Sequence, residues 1–308
     1  MAHLPVLLNP SIEALAIDDD ATLIDGTYGR GGHAQAMLDR LGPNGRLLVI
    51  DRDPEAVEHA QAQFGNDPRV WIRHANFDEM STLADALGWR GEVNGVLLDL
   101  GVSSPQLDQA GRGFSFMNDG PLDMRMDPHS GVSAAEWLAD VSERELAEVI
   151  KSYGEERRAR RIARAIVAAR QQHPIETTAQ LANVIASVVS GRPGHHPATK
   201  TFQAIRIFIN RELEALDRWL DTILPTLAPG ARLAVISFHS LEDRRVKRAW
   251  QALAKPPAAN RRWPTSETFT PQLKLIGRSI AASDEACQTN PRARSARLRV
   301  AEKLMEAA

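Results

Sequence analysis

The sequence predicts a Rossmann-like α/β fold with a mostly parallel sheet, an antiparallel sheet edge and an inserted all-α domain. Three observations predict it. Strand and helix patterns alternate up to about residue 100, helix patterns alone follow, and strand patterns return towards the C-terminus. We therefore divide the chain into a core segment at 1–128, a helical insertion at 129–198 and a second core segment at 199–308.

The first core segment alternates apolar runs with helical patterns. Runs at 21–24 and 47–50 predict the first two strands, and residues 70–74 and 93–100 predict the third and fourth. A helix is predicted between the last two, over 77–87. Because strand and helix alternate, these strands should run parallel.

Helices alone are predicted in the insertion, and strands return after it. Apolar residues from Phe202 to Leu224 recur every three or four positions, which predicts one helix that packs on the sheet. A fifth strand is predicted over 232–238, and the blocks 272–276 and 298–302 can close the sheet as an edge pair. The predicted insertion helices cover 134–138, 143–153, 157–170 and 178–190.

Composition excludes several classes of protein. The chain has 308 residues, of which 43% are hydrophobic and 25% charged, as in ordinary globular proteins. Its apolar stretches are all shorter than the roughly 20 residues of a membrane span, and its start lacks the basic region of a signal peptide. A single cysteine, Cys287, excludes an internal disulfide and agrees with a reducing compartment. We expect a cytoplasmic protein without membrane contact.

Positive charge is concentrated locally, although the net charge is only −2. Residues 151–170 carry one Lys and six Arg, residues 244–248 carry four basic side chains, and further Arg residues crowd 292–299. Such patches are typical of proteins that grip phosphates at a defined place. For the arginines at Arg157, Arg158, Arg160 and Arg161, a solvated helix face with internal ion pairs is an equal alternative.

A glycine-rich turn follows the first predicted strand. Residues 25–33 read Asp-Gly-Thr-Tyr-Gly-Arg-Gly-Gly-His, and the second strand ends at Asp51. Glycines let the main chain approach a ligand closely, and an acid at the tip of the second strand can accept the hydroxyls of a ribose. This arrangement predicts a nucleoside-containing cofactor, although glycine at a strand-to-helix turn is also common for structural reasons alone.

The acid that opens the turn separates two cofactors. NAD would place a pyrophosphate here, which the carboxylate of Asp25 would repel. The ammonium group of S-adenosylmethionine would instead be attracted. We therefore expect S-adenosylmethionine and keep an NAD-dependent dehydrogenase as the alternative.

The loop after the fourth strand carries further candidate residues. It contains Ser103, Ser104 and Pro105, with Phe114 and Phe116 beyond them. In an open α/β sheet the site lies outside the carboxyl ends of the strands, so this loop should face the cofactor turn. Side chains of these types can hold the exocyclic amine of a nucleobase. A Ser-Pro turn that caps the strand is the structural alternative.

Taken together, the long motifs of the chain resemble those of the MraW family of ribosomal RNA small-subunit methyltransferases. The resemblance runs from His3 to about Leu304. It rests on His3–Leu8, Asp25–Thr27, Gly29–His33, Asp51–Pro54, Asp99–Asp108, Gly120–Met126, His196–Thr199 and Ser237–Arg244.

The resemblance implies a class I S-adenosylmethionine-dependent methyltransferase that methylates N4 of a cytidine in the decoding region of 16S ribosomal RNA. The partner would be that RNA, in the small ribosomal subunit or a precursor, and the insertion would recognise it. A non-catalytic RNA-binding scaffold with this fold is a further alternative. Carried over by position, the cofactor contacts of the family fall on Gly31, Gly32, His33, Asp51, Phe77, Asp99 and Gln106.

The chemistry of the residues agrees with an amine acceptor. Methylation at carbon 5 of cytosine needs a thiolate, and Cys287 lies outside the candidate loops. Direct transfer to N4 needs no thiolate. The candidates to orient or deprotonate the amine are Ser103, Ser104, Asp123 and His239, although the segment around His239 could equally cap the next helix.

Two further features complete the sequence-based picture. The adjacent His195 and His196 lack a third ligand at fitting spacing, so we expect no metal site there. The sequence leaves open whether the chain forms a homodimer.

Overall fold

The computed structural model describes residues 5–191, 196–256 and 269–305. They form two compact units, one within 1–101 and 214–308 and the other within 102–213. The second unit extends beyond the predicted 129–198 insertion at both ends. The predicted division of the chain by role, with RNA recognition in 129–198, stays a prediction.

The first unit contains a mixed, mostly parallel sheet, which confirms the predicted fold class. Its strand order is β3-β2-β1-β4-β5-β8-β6, and β7 pairs with β8 outside this order. Strands β1 to β5 pair in parallel, and β8 is antiparallel to β5, β6 and β7. The predicted antiparallel edge pair is thus confirmed. The strands are β1 Thr22–Asp25, β2 Arg46–Asp51, β3 Val70–His74, β4 Val93–Asp99, β5 Leu227–Ser237, β6 Leu273–Leu275, β7 Ile280–Ala281 and β8 Arg297–Lys303.

Helices make up most of the remaining described structure. No helix in the described ranges is both long enough and apolar enough to span a bilayer. They are α1 Leu8–Leu15, α2 Gly32–Leu38, α3 Pro54–Phe64, α4 Met80–Ala86, α5 Ser104–Asp108, α6 Ala134–Asp140, α7 Glu143–Gly154, α8 Ala159–Arg170, α9 Thr178–Val188, α10 Thr199–Ile209, α11 Glu212–Thr222, α12 Ser240–Ala254 and α13 Asp284–Thr289.

Both faces of the sheet are buried. Successive strand side chains point to opposite faces, so Leu23 and Leu47 belong to one apolar core, and Ile24 and Leu48 to a second. All four are completely buried. Parallel strands that are covered on both faces read as continuous apolar runs, which is why the sequence showed them clearly.

The second unit has its own apolar core and a loop that is tied to it. Helix α7 packs against α8 and α10, and α8 packs against α9. The N–H of Leu122 donates to the carbonyl of Glu176, and the N–H of Thr178 donates to the carbonyl of Gly120. These bonds join the loop after β4 to the helices, which explains why the unit begins near residue 102.

The prediction of a single helix over 202–224 is wrong, because two helices occupy this region. Helix α10 ends at Ile209 and α11 begins at Glu212, and Arg211 between them has a φ of 50°. Buried Asn210 fixes the break, since its amide donates to the carbonyl of Met124 and accepts from the N–H of Met126, at 2.7 and 2.8 Å.

Candidate functional site

Three acidic residues lie at the carboxyl ends of neighbouring parallel strands in the first unit. Asp25 ends β1, Asp51 ends β2 and Asp99 ends β4. Asp25 is completely buried, and the other two are partly buried. The hydroxyl of Thr27 accepts a hydrogen bond from the N–H of Asp99 at 2.6 Å, which ties the glycine-rich turn to the end of β4. The structure thus brings these three predicted residues to one edge of the sheet.

These acids share an unusual electrostatic environment. Burial raises the pKa of Asp25 to about 7, and the nearby charge of Asp51 adds to the shift. Burial also raises the pKa of Asp99 well above its usual range, with the charges of Asp25 and Glu242 contributing. Among the described residues, Asp25 Oδ2 and Asp99 Oδ1 are buried without a hydrogen-bond partner. Buried acceptors normally have partners, so this cluster is suited to a cationic or hydrogen-bond-donating ligand.

Asp51 is held in one orientation by the main chain. One carboxylate oxygen accepts from the N–H of Gly29 and the other from the N–H of Asp53, both at 2.8 Å. Burial raises the pKa of Asp51 to about 6, against the lowering effect of these two bonds. Because a carboxylate oxygen can accept two hydrogen bonds, each oxygen keeps a lone pair for a ligand hydroxyl.

The turn before α2 requires glycine. Gly31 caps this helix with a φ of 77°, and a Cβ there would lie 2.6 Å from the ring of Tyr28. His33 is buried, and burial lowers its pKa to about 4, so the imidazole is neutral near pH 7. Its Nδ1 lies 3.8 Å from Asp99 Oδ2, and its Nε2 has no partner in the described chain. The His33 ring therefore belongs to the same cluster as the acids.

Two other predicted cofactor residues have local structural roles. Gly32 is the first residue of α2, and a Cβ on it would overlap Pro5 at 2.1 Å. Phe77 begins a short 3₁₀ helix after β3 and packs half-buried against the core that contains Ile24. Gly32 therefore tolerates little change for packing reasons alone.

His239 caps helix α12, as the alternative interpretation of its segment expected. Its Nδ1 accepts from the N–H of Glu242 at 3.4 Å, and a Glu242 carboxylate oxygen accepts from the N–H of His239 at 3.2 Å. The Nε2 of His239 also lies 3.1 Å from Glu242 Oε1. Since Glu242 is only 2% exposed, the His239 ring lies beside a buried carboxylate.

The predicted residues of the second unit include a short helix start. Ser103 precedes α5, and its N–H donates to Gln106 Oε1 at 3.0 Å. Ser104 is the first residue of the helix, and Gln106 is buried within it. The Ser-Pro segment thus forms a helix cap, close to the structural alternative, and its part in ligand binding stays a prediction.

Asp123 is bound by a neighbouring cation. The Arg125 guanidinium donates to both carboxylate oxygens, at 2.8 and 2.7 Å. Burial alone would raise the pKa of Asp123, but its hydrogen bonds with Arg125 outweigh burial and hold it below its usual range. A carboxylate with a lowered pKa is a poor proton acceptor, so this geometry favours an orienting role for Asp123.

The predicted RNA-binding arginines lie on or just before α8, and all four are exposed. In the described part of the chain, none of them lies within ion-pair distance of a carboxylate, whereas Arg164 on the same helix pairs with Glu143 at 3.5 Å. Their charges are therefore available to a partner. The four are Arg157, Arg158, Arg160 and Arg161.

Of the two adjacent histidines, His195 lies outside the described residues. His196 is exposed and stacks on the ring of Phe116, with centroids 4.4 Å apart.

Comparison with known proteins decides the family. A family model described as the MraW methylase family matches residues 1–304. The chain belongs to the MraW methylase family. The resemblance seen in the sequence is thereby confirmed, and the protein is a methyltransferase by family.

Curated members of the MraW family are similar over nearly the whole chain. A protein from Xanthomonas oryzae named ribosomal RNA small subunit methyltransferase H is 57% identical over 304 residues, which cover 98% of this chain and 89% of that protein. A protein of the same name from Xylella fastidiosa is 56% identical over 310 residues, which cover 99% of this chain and 98% of that protein. A solved structure titled as a putative rRNA-methylase from Clostridium thermocellum is 11% identical, covers 99% of both chains and has a TM-score of 0.47.

Sequence reasoning missed two residues of the candidate site in the first unit. Thr27 links the glycine-rich turn to Asp99, and Glu242 is the acidic partner of His239. The second could have been found, because Glu three residues after a capping residue is the spacing of a capping box. The bond of Thr27 crosses 72 residues of sequence and leaves no local signal.

Proposed function

We propose that this MraW family member transfers a methyl group from S-adenosylmethionine to the exocyclic N4 of a cytidine in the decoding region of 16S ribosomal RNA. The observation that carries the proposal is the group of buried acids at the carboxyl ends of β1, β2 and β4, with two acceptor atoms left unpartnered. The names of the curated relatives, which specify the small-subunit ribosomal RNA, support the substrate class.

The residues of the first unit fit this cofactor. When bound, S-adenosylmethionine supplies an electrophilic methyl group on a positively charged sulfur. Asp25 and Asp99 are suited to its cationic groups. A bound cation would compensate the negative charge of each carboxylate and supply hydrogen-bond donors to the unpartnered oxygens. Asp51 is suited to the ribose hydroxyls. We also assign cofactor contacts to Gly31, Gly32, His33, Phe77 and Gln106.

The protein has to position an amine and later accept a proton. Alignment of two reactants can supply about 7–11 kcal/mol of the barrier, so no covalent intermediate with the protein is needed. We propose that Ser103, Ser104 and Asp123 orient N4. His239 would accept the proton, with the Glu242 carboxylate compensating the charge that develops on the ring.

The target base must leave its stack to reach a buried cofactor, at a cost of a few kcal/mol. Contacts to the flanking phosphates can offset this cost, and we assign them to the exposed arginines that begin α8. The substrate would be 16S ribosomal RNA in the small subunit or a precursor.

Cofactor affinity should depend on pH through Asp25. In the free protein its pKa is about 7, so the carboxyl is largely protonated at pH 6, and binding a cationic group must release that proton. We expect affinity to fall by up to about tenfold per pH unit as the pH drops below 7. Calorimetry from pH 6 to pH 8, in buffers with different ionisation enthalpies, measures both affinity and proton release.

Asp25→Asn is the matched variant for this test. It keeps the oxygen that accepts from the N–H of Thr27 but cannot titrate. It should bind S-adenosylmethionine more weakly at pH 8 and show a flatter pH dependence. Equal proton release by the variant and the natural protein would exclude Asp25 as the group that titrates.

The arginines at the start of α8 should contribute to RNA affinity by binding phosphates. Replacing Arg157, Arg158, Arg160 and Arg161 with Ala should reduce the slope of log affinity against log salt by about 0.7 for each phosphate of single-stranded RNA that the variant no longer binds. Cofactor binding should not change. Arg164→Ala, which removes an already paired charge on the same helix, serves as the control. A salt slope that stays constant would identify the four arginines as a solvated face.

Incubation of small ribosomal subunits, their precursors or free 16S RNA with radiolabelled S-adenosylmethionine tests the function as a whole. Methyl transfer to one of these substrates is expected. RNA binding without transfer would favour the non-catalytic scaffold, and a change in nicotinamide absorbance with NAD would favour the dehydrogenase.

A further inference from the structure

An open cleft lies at the antiparallel edge of the sheet in the first unit. It encloses about 320 Å³ including its mouth and is bounded by α12, by β8 and by the segment that links β6 to β7.

Three basic side chains line the cleft, and none of its lining residues is acidic. Lys247 comes from α12, Arg278 from the link between β6 and β7, and Arg299 from β8. Lys247 and Arg278 are exposed, and within the described ranges neither lies within ion-pair distance of a carboxylate. Two exposed cationic side chains without a carboxylate partner in the described ranges therefore line one concave surface.

The third cation is held rigidly. Arg299 donates to both carboxylate oxygens of Asp243, from Nε at 2.7 Å and from Nη2 at 3.0 Å. This bidentate pair fixes the plane of the guanidinium and leaves Nη1 outside the pair. Gly277, which has a φ of 67°, also lines the cleft and adds one backbone position without a side chain.

The wall of the cleft is apolar where it is deepest. Trp250 and Val300 are buried, at 2% and 7% exposure, and they line the cleft together with Ile276. A nearby apolar wall lowers the local polarity, which strengthens the attraction between the cations and an anion. Two exposed cations, one fixed guanidinium and an apolar wall suit a phosphate group better than a carboxylate of a flexible side chain.

We propose that this cleft binds a backbone phosphate of the RNA substrate, as an anchoring site separate from the arginines of α8. The proposal rests on the proposed function, because it assumes that RNA is the substrate. It assigns a role to Lys247 and Arg299, one basic residue from each of the stretches 244–248 and 292–299. A free phosphate ion offers the same chemistry, and the test separates the two sources.

The test compares two double variants of the full chain. Lys247→Gln with Arg278→Gln removes the two unpaired charges of the cleft. Arg40→Gln with Arg73→Gln removes the same charge elsewhere in the unit, since Arg73 lies on β3 at the opposite edge of the sheet. For each, binding of a labelled 16S decoding-region RNA is measured by fluorescence anisotropy at several salt concentrations, together with calorimetric binding of S-adenosylmethionine and of inorganic phosphate.

The cleft variant should reduce the salt slope of RNA binding by about 0.7–0.9, the value for one phosphate that is no longer neutralised. The control variant should leave the slope unchanged, and both should bind the cofactor like the natural protein. Equal slopes for the two variants would overturn the proposal. So would loss of inorganic phosphate binding without a change in RNA binding, which would mark a site for free phosphate only.

These outcomes are distinct from failure of the proposed function. If the natural protein does not methylate the RNA, the proposed function fails whatever the variants show. If it does methylate the RNA and the cleft variant keeps the natural salt slope, only the anchoring site fails.

Discussion

Asp51→Ala is expected to weaken S-adenosylmethionine binding by about 1.5–3 kcal/mol, which corresponds to about a 10- to 150-fold rise in Kd. The physical reason is the geometry of the carboxylate. Its two oxygens accept from the N–H groups of Gly29 and Asp53, so they face the ligand in a fixed orientation before binding. Calorimetric titration of the cofactor measures the change directly.

Two control variants accompany this measurement. Asp51→Asn retains one acceptor oxygen and should lose less affinity than Asp51→Ala. Asp39→Ala removes an exposed carboxylate at the end of α2 and should have no effect. Unchanged affinity in a folded Asp51→Ala protein would show that the ribose is bound elsewhere.

The edge of the sheet where the candidate site lies could be predicted from sequence because its signals are local. The strands before Asp25 and Asp51 are continuous apolar runs, and each run ends at its acid. In a parallel sheet the carboxyl ends of neighbouring strands meet at one edge. The places of Asp25 and Asp51 in the fold can therefore be predicted from their places in the sequence, without knowledge of any long-range contact.

The break between α10 and α11 had no such signal. Asn210 bonds to Met124 and Met126, which lie 86 and 84 residues earlier. The apolar spacing on either side of the break continues at three and four residues, because both helices bury one face. Periodicity alone therefore reads the two helices as one.

The second compact unit begins earlier than the predicted insertion for a similar reason. The loop after β4 looks like a connection in the α/β core, but Leu122 and Gly120 bond to the chain at the start of α9. Such tertiary bonds override the local pattern.

Methylation at N4 and methylation at carbon 5 of the base predict opposite results for a variant without the thiol. Direct attack by N4 needs no thiol, so Cys287→Ala should retain full activity, and RNA containing 5-fluorocytidine should form no covalent adduct. Cys287 is partly buried on α13 and packs against an apolar core, which is a structural environment for a thiol. Because Ala keeps part of this packing, the variant should fold, and thermal unfolding checks that it does.

The product itself gives the decisive measurement. Mass spectrometry of digested RNA, against authentic N4-methylcytidine and 5-methylcytidine standards, should show only the first. Substitution of Ser103, Ser104 or Asp123 should then lower kcat more than RNA affinity, because an interaction with the amine that strengthens as its lone pair attacks acts on the transition state. A carbon-5 mechanism requires a thiolate that adds to the ring, and Cys287 is the only thiol in the chain. A 5-methylcytidine product, or an inactive Cys287→Ala protein that still binds S-adenosylmethionine, would therefore contradict the proposed transfer to N4.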